Sequence, residues 1–277
     1  MDEKKTESDV VNRTTHPNII TTLVKEFEEL GIKPGLVVIM HSSLSKLGWT
    51  VGGPVSVIKA LMQVLTPEGT LVMFASAGDN TEPSYWENPP VPEDWWETIR
   101  QEMPAYHPEI TPSRGVGVIV EVFRKWPGIK RSDHPNVSFA AWGKHAKYIT
   151  KDHHLSADLG EKSPLARIYD LDGQVLLLGV NHSNNTSLHL AEYRSDFSGK
   201  KSISNGAAMM LNKKKTWVVW EGLDIDSDDF EQLGKDFESA NGYLPGKVGL
   251  AEARLISQRV IVDYAVQWLK ENRNTHD

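Results

Sequence analysis

LVVIMHSS, residues 36–43, is an unbroken apolar and β-branched run of strand length with no polar alternation. That pattern belongs to a strand covered on both faces. Downstream, residues 53–66 place Ile58, Leu61, Met62 and Leu65 on one helical stripe, and GTLVMFAS (69–76) is a second buried strand. Strand, helix and strand in succession predict a βαβ unit with a right-handed crossover. Upstream, PNIITTLVKEFEEL (17–30) spaces Ile20, Leu23, Phe27 and Leu30 as an amphipathic helix, with Pro17 suited to its first turn and Gly31 to its C-terminal cap.

The remaining chain repeats these signals less regularly. QVLLLGV (174–180) is a third buried strand, and Asn185 or Thr186 can cap a helix that follows it. Helical spacing also appears in GVGVIVEVFRKW (115–126). AAMMLN and TWVVWEGL flank a polar KKK as a hairpin, and Gln258–Glu271 forms a last helix with Ile261, Ala265, Trp268 and Leu269 inward. The expected fold is therefore α/β: a mixed central sheet flanked by helices, in a single domain over residues 1–277. Residues 78–113, rich in Pro, Trp and acidic side chains, read as a long excursion, either a surface elaboration packed by its own aromatics or a substrate-covering segment. Trp95 and Trp96 within it could cover a partner surface or be buried, and a homodimer is left open.

Composition narrows the chemistry. The 277 residues contain no cysteine, which excludes thiol nucleophiles, disulfides and thiolate metal sites. The formal net charge is -7, and no basic stripe is present to neutralise a nucleic-acid backbone. The opening MDEKKTESDVVNRTT is too charged for a signal-peptide core, and no apolar run is long enough for a membrane helix, so a cytoplasmic location is expected. An acidic surface would also favour encounter with a cationic ligand.

Four stretches carry candidate chemistry. HSSLSKLGWTVGGP (41–54) joins a buried strand to a helix; it is either a plain turn or a site. Its free amides, the hydroxyls of Ser42, Ser43 and Ser45, and the Lys46 ammonium could hold a phosphate or a pantetheine amide. His189 and Glu192 fall three positions apart on one helix face, where a neutral imidazole can take a proton and a carboxylate can orient it. TPSRGVG (111–117) sets Arg114 before a glycine-rich helix start, suited to an anion or simply to a cap. RSDHPNVSFAAWG (131–143) reads as an ordered loop containing His134. His182 and His189, seven residues apart, match no metal-ligand spacing, so no metal is expected.

Taken together with GEKSPL, DLDGQVLLLGV, NTSLHLAEYR and the C-terminal GKVGLAEARLIS, these motifs occur in an order that resembles the aminoglycoside 3-N-acetyltransferase family over nearly the whole chain. The resemblance implies that family's own α/β architecture, acetyl-CoA as donor and a polycationic small-molecule amine such as an aminoglycoside as acceptor, with a different small-molecule amine or a non-catalytic coenzyme-binding role as the alternatives. It implies that His189 is the essential histidine, with Glu192 and Asp172 as candidate supporting carboxylates. His41, Ser42, Ser43, Leu44, Ser45, Lys46 and Gly48, with Thr111, Ser113 and Arg114, fall in stretches implied to line the coenzyme site. Asp79, Glu82, Glu93 and Asp94 of the excursion are candidate partners for acceptor ammonium groups. His182 and the polar SNNTS loop (183–187) depart from what the family requires and bear on acceptor choice.

Overall fold

The computed structural model describes residues 6–273. Its strands are β1 (Val37–Ser42), β2 (Thr70–Phe74), β3 (Lys130–Arg131), β4 (Phe139–Gly143), β5 (Gln174–Leu178), β6 (Ser202–Leu211), β7 (Lys214–Leu223), β8 (Gly246–Val248) and β9 (Ala251–Ser257). Seven of them form one sheet in the order β3-β4-β2-β1-β5-β9-β8. β1 runs parallel to both β2 and β5, while β4 and β9 join antiparallel on the outside. The mixed α/β sheet flanked by helices expected from the sequence is the observed architecture.

Alternate residues of each central strand enter opposite cores, which is why the three runs carry no polar alternation. Ile39, Val72, Val175 and Leu177 pack on one side with the helices Pro164–Asp170, Leu188–Arg194, Phe230–Asn241 and Gln258–Asn272. Val38, Met40, Leu71, Met73, Leu176 and Leu178 pack on the other with Ile20–Glu29, Pro54–Leu65 and Val118–Phe123. Leu23 and Phe27 are fully buried as the helical spacing predicts. In the last helix Ile261, Ala265 and Leu269 are fully buried and Trp268 packs partly buried against them. No described helix is long and apolar enough to cross a membrane.

Three local expectations are corrected. A short helix, Glu7–Asn12, precedes the one expected over 17–30, which itself starts at Ile20, so Pro17 lies outside its first turn. The cause is Asn18, whose N–H donates to Trp49 O (2.9 Å), whose carbonyl accepts from Val51 N–H (2.9 Å) and whose side chain donates to Leu47 O (2.8 Å). Neither Asn185 nor Thr186 caps the helix after β5: Ser187 occupies that position, and Asn185 Oδ1 accepts from its N–H at 3.2 Å. The helix expected across 115–126 is confined to Val118–Phe123, because Gly115 and Gly117 both adopt positive φ. GKVGLAEARLIS is two strands, β8 and β9, joined at Gly249 (φ +55°).

β6 and β7 form the expected hairpin as a separate two-stranded sheet, turning at Asn212 and Lys213, both in the left-handed region. The 78–113 excursion packs against it. Asn80 exchanges hydrogen bonds with the Ala208 backbone (2.9 and 3.1 Å), Tyr106 N–H donates to Ala208 O (2.8 Å) and Tyr85 OH donates to Ser204 O (3.1 Å). The excursion holds the helix Trp96–Glu102; Trp95 is exposed and Trp96 half-buried. The hairpin is tied to the main body through Asp158, whose Oδ1 accepts from Trp220 Nε1 and lies 2.9 Å from His134 Nε2. His134, read from sequence as a loop residue, is thus a fully buried part of that tie.

Candidate active site

Chain order around β1 fixes where a cleft can form. β1 leads to β2 on one side of itself, whereas β5 enters on its other side. In open α/β sheets the loops leaving the carboxyl ends of such strands part and leave a crevice. A cavity of about 620 Å³ occupies that place, lined by His41 to Ser45 from the end of β1, by Val180, Ser183, Asn184, Thr186 and His189 beyond β5, and by Phe74 and 115–120.

Residues 44–47 form a short 3-10 turn entered from Ser43, and the Oγ atoms of Ser43 and Ser45 lie 3.3 Å apart. Gly179 turns the chain after β5 with φ +69°, and a Cβ there would meet Lys46 Cβ at 2.7 Å. Two loops distant in sequence therefore approach closely only because this position has no side chain. A second cavity of about 600 Å³ shares Ser43, Val180, Ser183 and Asn184 with the first. It adds Lys46, Arg13 and Arg254, and the Nε and Nη2 atoms of Arg13 are buried without a hydrogen-bond partner among the described residues.

His189 and Glu192 do meet. Nδ1 of His189 lies 2.5 Å from Glu192 Oε2, and the ring packs tilted on Phe230 with centroids 4.9 Å apart. Glu192 is fully buried, and its Oε1 accepts from Arg273 Nη1 (2.5 Å) and from the Asp226 N–H (3.0 Å). With Nδ1 engaged, Nε2 is the nitrogen left to exchange a proton with a ligand. Asp172 is not part of this arrangement. It is exposed in the turn before β5, 3.6 Å from Arg259, and the length of β5 (roughly 16 Å at 3.3 Å per residue) separates it from the cavity end.

The other sequence candidates divide. His41, Ser42, Ser43, Leu44 and Ser45 share the cavity with His189; Lys46 lines the adjoining one, and Gly48 lines a third beside Leu44 and Ser45. Thr111, Ser113 and Arg114 line none of these three. Thr111 Oγ1 accepts from the His107 N–H, Ser113 donates to Glu121 (2.7 Å) and Arg114 pairs with Asp79. The segment following them, 115–120, reaches the cavity instead. Of the candidate acceptor carboxylates, Asp79 is taken by Arg114 and Glu82 by Arg100 (2.5 and 3.1 Å). Glu93 and Asp94 are exposed on a 3-10 turn, and none of the four lines the His189 cavity. The SNNTS loop singled out in the sequence carries Ser183, Asn184 and Thr186 into the cavity, whereas sequence reasoning missed Arg13, Arg254 and Arg273.

Three buried histidines, of which His41 lines the cavity, are held neutral by the fold. Burial, and then the neighbouring His189, push His41 down to about 4. Burial first, and then nearby His134, push His153 well down; burial also lowers His182 despite its bond to Glu238 at 2.9 Å. Gly234 admits that ring, since a Cβ there would sit 2.0 Å from His182 Cγ. These residues are neutral when folded and gain protons on unfolding below about pH 6.5, so the unfolded state binds more protons there. Stability should therefore be full above about pH 6.5 and fall as pH drops toward 4, by up to ~1.4 kcal/mol per pH unit for each such histidine. Urea midpoints at pH 7.5 and 5.5 test this; equal midpoints would contradict the buried neutral state.

The aminoglycoside 3-N-acetyltransferase family model matches residues 39–270. The SPbeta prophage-derived aminoglycoside N(3')-acetyltransferase-like protein YokD of Bacillus subtilis is 44% identical over 264 residues, covering 95% of this chain and 96% of that one. Its crystal structure superposes with a TM-score of 0.94 at 43% identity, over 98% of this chain and 100% of that chain. Aminoglycoside N(3)-acetyltransferase III of Pseudomonas aeruginosa is 33% identical over 92% of this chain and 94% of its own length. The solved structure of AAC-IIIb, binary with CoASH, matches with a TM-score of 0.83 at 28% identity, over 95% of this chain and 100% of that chain.

Proposed function

Because the chain belongs to the aminoglycoside 3-N-acetyltransferase family, we propose that it transfers the acetyl group of acetyl-CoA to an amine of an aminoglycoside, with His189 as general base. The observation that carries the reading is the His189–Glu192 pair opening onto a cavity that the 41–45 turn also lines. A coenzyme A chain fits the paired cavities. The hydroxyl-lined one beside His189 suits the pantetheine and thioester end, and the adjoining one supplies Lys46 and Arg13 for phosphates, Arg254 being already paired with Glu238 and Glu252. Buried Arg13 nitrogens without a partner are what a polyanion would satisfy.

Acetyl-CoA supplies an acetyl group activated as a thioester. His189 Nε2 takes a proton from the acceptor nitrogen as that nitrogen bonds to the acetyl carbon; the carbon–sulfur bond breaks, and the leaving sulfur acquires a proton to give CoASH. Glu192 holds the ring through Nδ1 and stabilises the imidazolium. The Leu44 and Ser45 amides, with the Ser43 and Ser45 hydroxyls, would stabilise charge growing on the thioester oxygen, the Lys46 N–H being spent on Ser43 O at 3.1 Å. Much of the acceleration comes from holding two reactants in one site, which supplies up to about 7–11 kcal/mol in favourable cases.

A second reading keeps the donor and mechanism but changes the acceptor to another small-molecule amine. It is favoured by the internal pairing of Asp79 and Glu82, which leaves them unavailable for a polycation. Thiol release from acetyl-CoA across a panel of aminoglycosides separates the two. Lys46→Ala should raise KM for acetyl-CoA by about tenfold, the value of one charge-assisted contact, with the effect shrinking at high salt. An unchanged KM at low salt would remove the second cavity from the donor site.

A further inference from the structure

Glu192 has no solvent to balance its charge, and both of its oxygens are committed: Oε2 to His189, Oε1 to Arg273 Nη1 and the Asp226 N–H. Arg273 lies at the C-terminal end of the helix Gln258–Asn272 and is itself gripped by Asp229, with Nε to Oδ2 at 2.7 Å and Nη2 to Oδ1 at 2.6 Å. Its Nη2 also donates to the Asp226 carbonyl at 2.7 Å. The guanidinium and the His189 ring both approach Phe230, with a guanidinium-to-centroid distance of 5.9 Å and a ring separation of 4.9 Å. Three parts of the chain far apart in sequence, at 192, 226–230 and 273, thus converge behind one imidazole.

We propose that Arg273, anchored by Asp229, is a positioning residue for this site: it fixes the Glu192 carboxylate and, by partly neutralising it, sets how tightly the His189–Glu192 pair holds a proton. The functional consequence rests on the acetyltransferase reading; the coupling itself does not. A cation beside a carboxylate–imidazole pair disfavours the extra proton, so its removal raises the proton affinity of the pair taken together. Other charged or titratable groups face the pair: Tyr193 and Lys200 near Glu192, His41 near His189, and Asp226 and Asp229 on the loop after β7. Among the described residues, Arg273 is the one cation bonded to Glu192 through its side chain. At Arg273 burial opposes its charge, but Asp229 and Glu192 outweigh it and hold its pKa above the usual range, so it is a cation at every working pH.

The test is an NMR titration of the His189 imidazole in the protein without substrates, comparing the parent with Arg273→Met, Arg273→Gln and Arg273→Lys. Met and Gln should move the midpoint up by about one pH unit or more, and Lys, which keeps the charge, should return it most of the way. If an acceptor is turned over, the acid limb of kcat/KM should shift in parallel, with KM for acetyl-CoA unmoved. A role in stability alone would lower Tm in all three variants and leave the midpoint in place. A midpoint within about 0.2 pH unit of the parent's in whichever of Met or Gln folds overturns the proposal. Because the titration needs neither donor nor acceptor, its result stands apart from any failure to find an amine substrate.

Discussion

His189→Ala should lower kcat by about 10²–10⁴-fold, the range that positioned general bases supply. Acetyl-CoA binding should survive nearly intact. The side chain is a small part of a large cavity wall, and the hydroxyls and cations assigned to the coenzyme lie on other loops. The fold should survive too, since Glu192 keeps Arg273 and the Asp226 N–H when the imidazole is gone. The packing lost is one ring contact with Phe230. Continuous thiol-release kinetics beside calorimetric titration with CoA give both numbers. A mutant within about tenfold of the parent would show that the acceptor amine loses its proton elsewhere.

Glu192→Leu is expected to damage both stability and turnover. Removing one member of a buried ion pair costs about 3–5 kcal/mol, because the partner charge is left without its counterpart. Here the lower end applies, since Arg273 retains Asp229. The imidazole Nδ1 and the Asp226 N–H lose their acceptor as well, and kcat should fall about 10²–10⁴-fold as the ring loses its orientation. Glu192→Gln keeps the shape but turns an amide NH₂ toward a donor on one side or the other, so a smaller stability loss should accompany a comparable loss of activity. Denaturant midpoints and kcat for both variants decide the matter. A Leu variant as stable as the parent would mean that the buried pair contributes nothing net.

The spacing of His189 and Glu192 placed them on one helix face, and the structure joins them. Asp172 shows where such reasoning stops. Its motif borders the same strand, but a strand carries its two ends far apart, and sequence adjacency to β5 does not say which end faces the cavity. The acidic residues of 78–113 show another limit. Their charge was legible, whereas the capture of Asp79 by Arg114 and of Glu82 by Arg100 depends on how the excursion folds back on itself.

By itself, the sequence determined the layers and the chemistry within reach. Continuous apolar runs at 36–43, 69–76 and 174–180 require cover on both faces, helical stripes supply it, and the absence of cysteine rules out a thiol nucleophile. These are local properties, set by the period of side-chain direction along a strand or helix. Only the tertiary structure decided that β5 lies beside β1, so that the 41–45 turn and the first turn of the helix carrying His189 share one cavity. It alone brought Arg273, 81 positions from Glu192, to the far side of that carboxylate. A buried charge is satisfied by whichever group the packing delivers to it, and no period in the chain encodes that delivery.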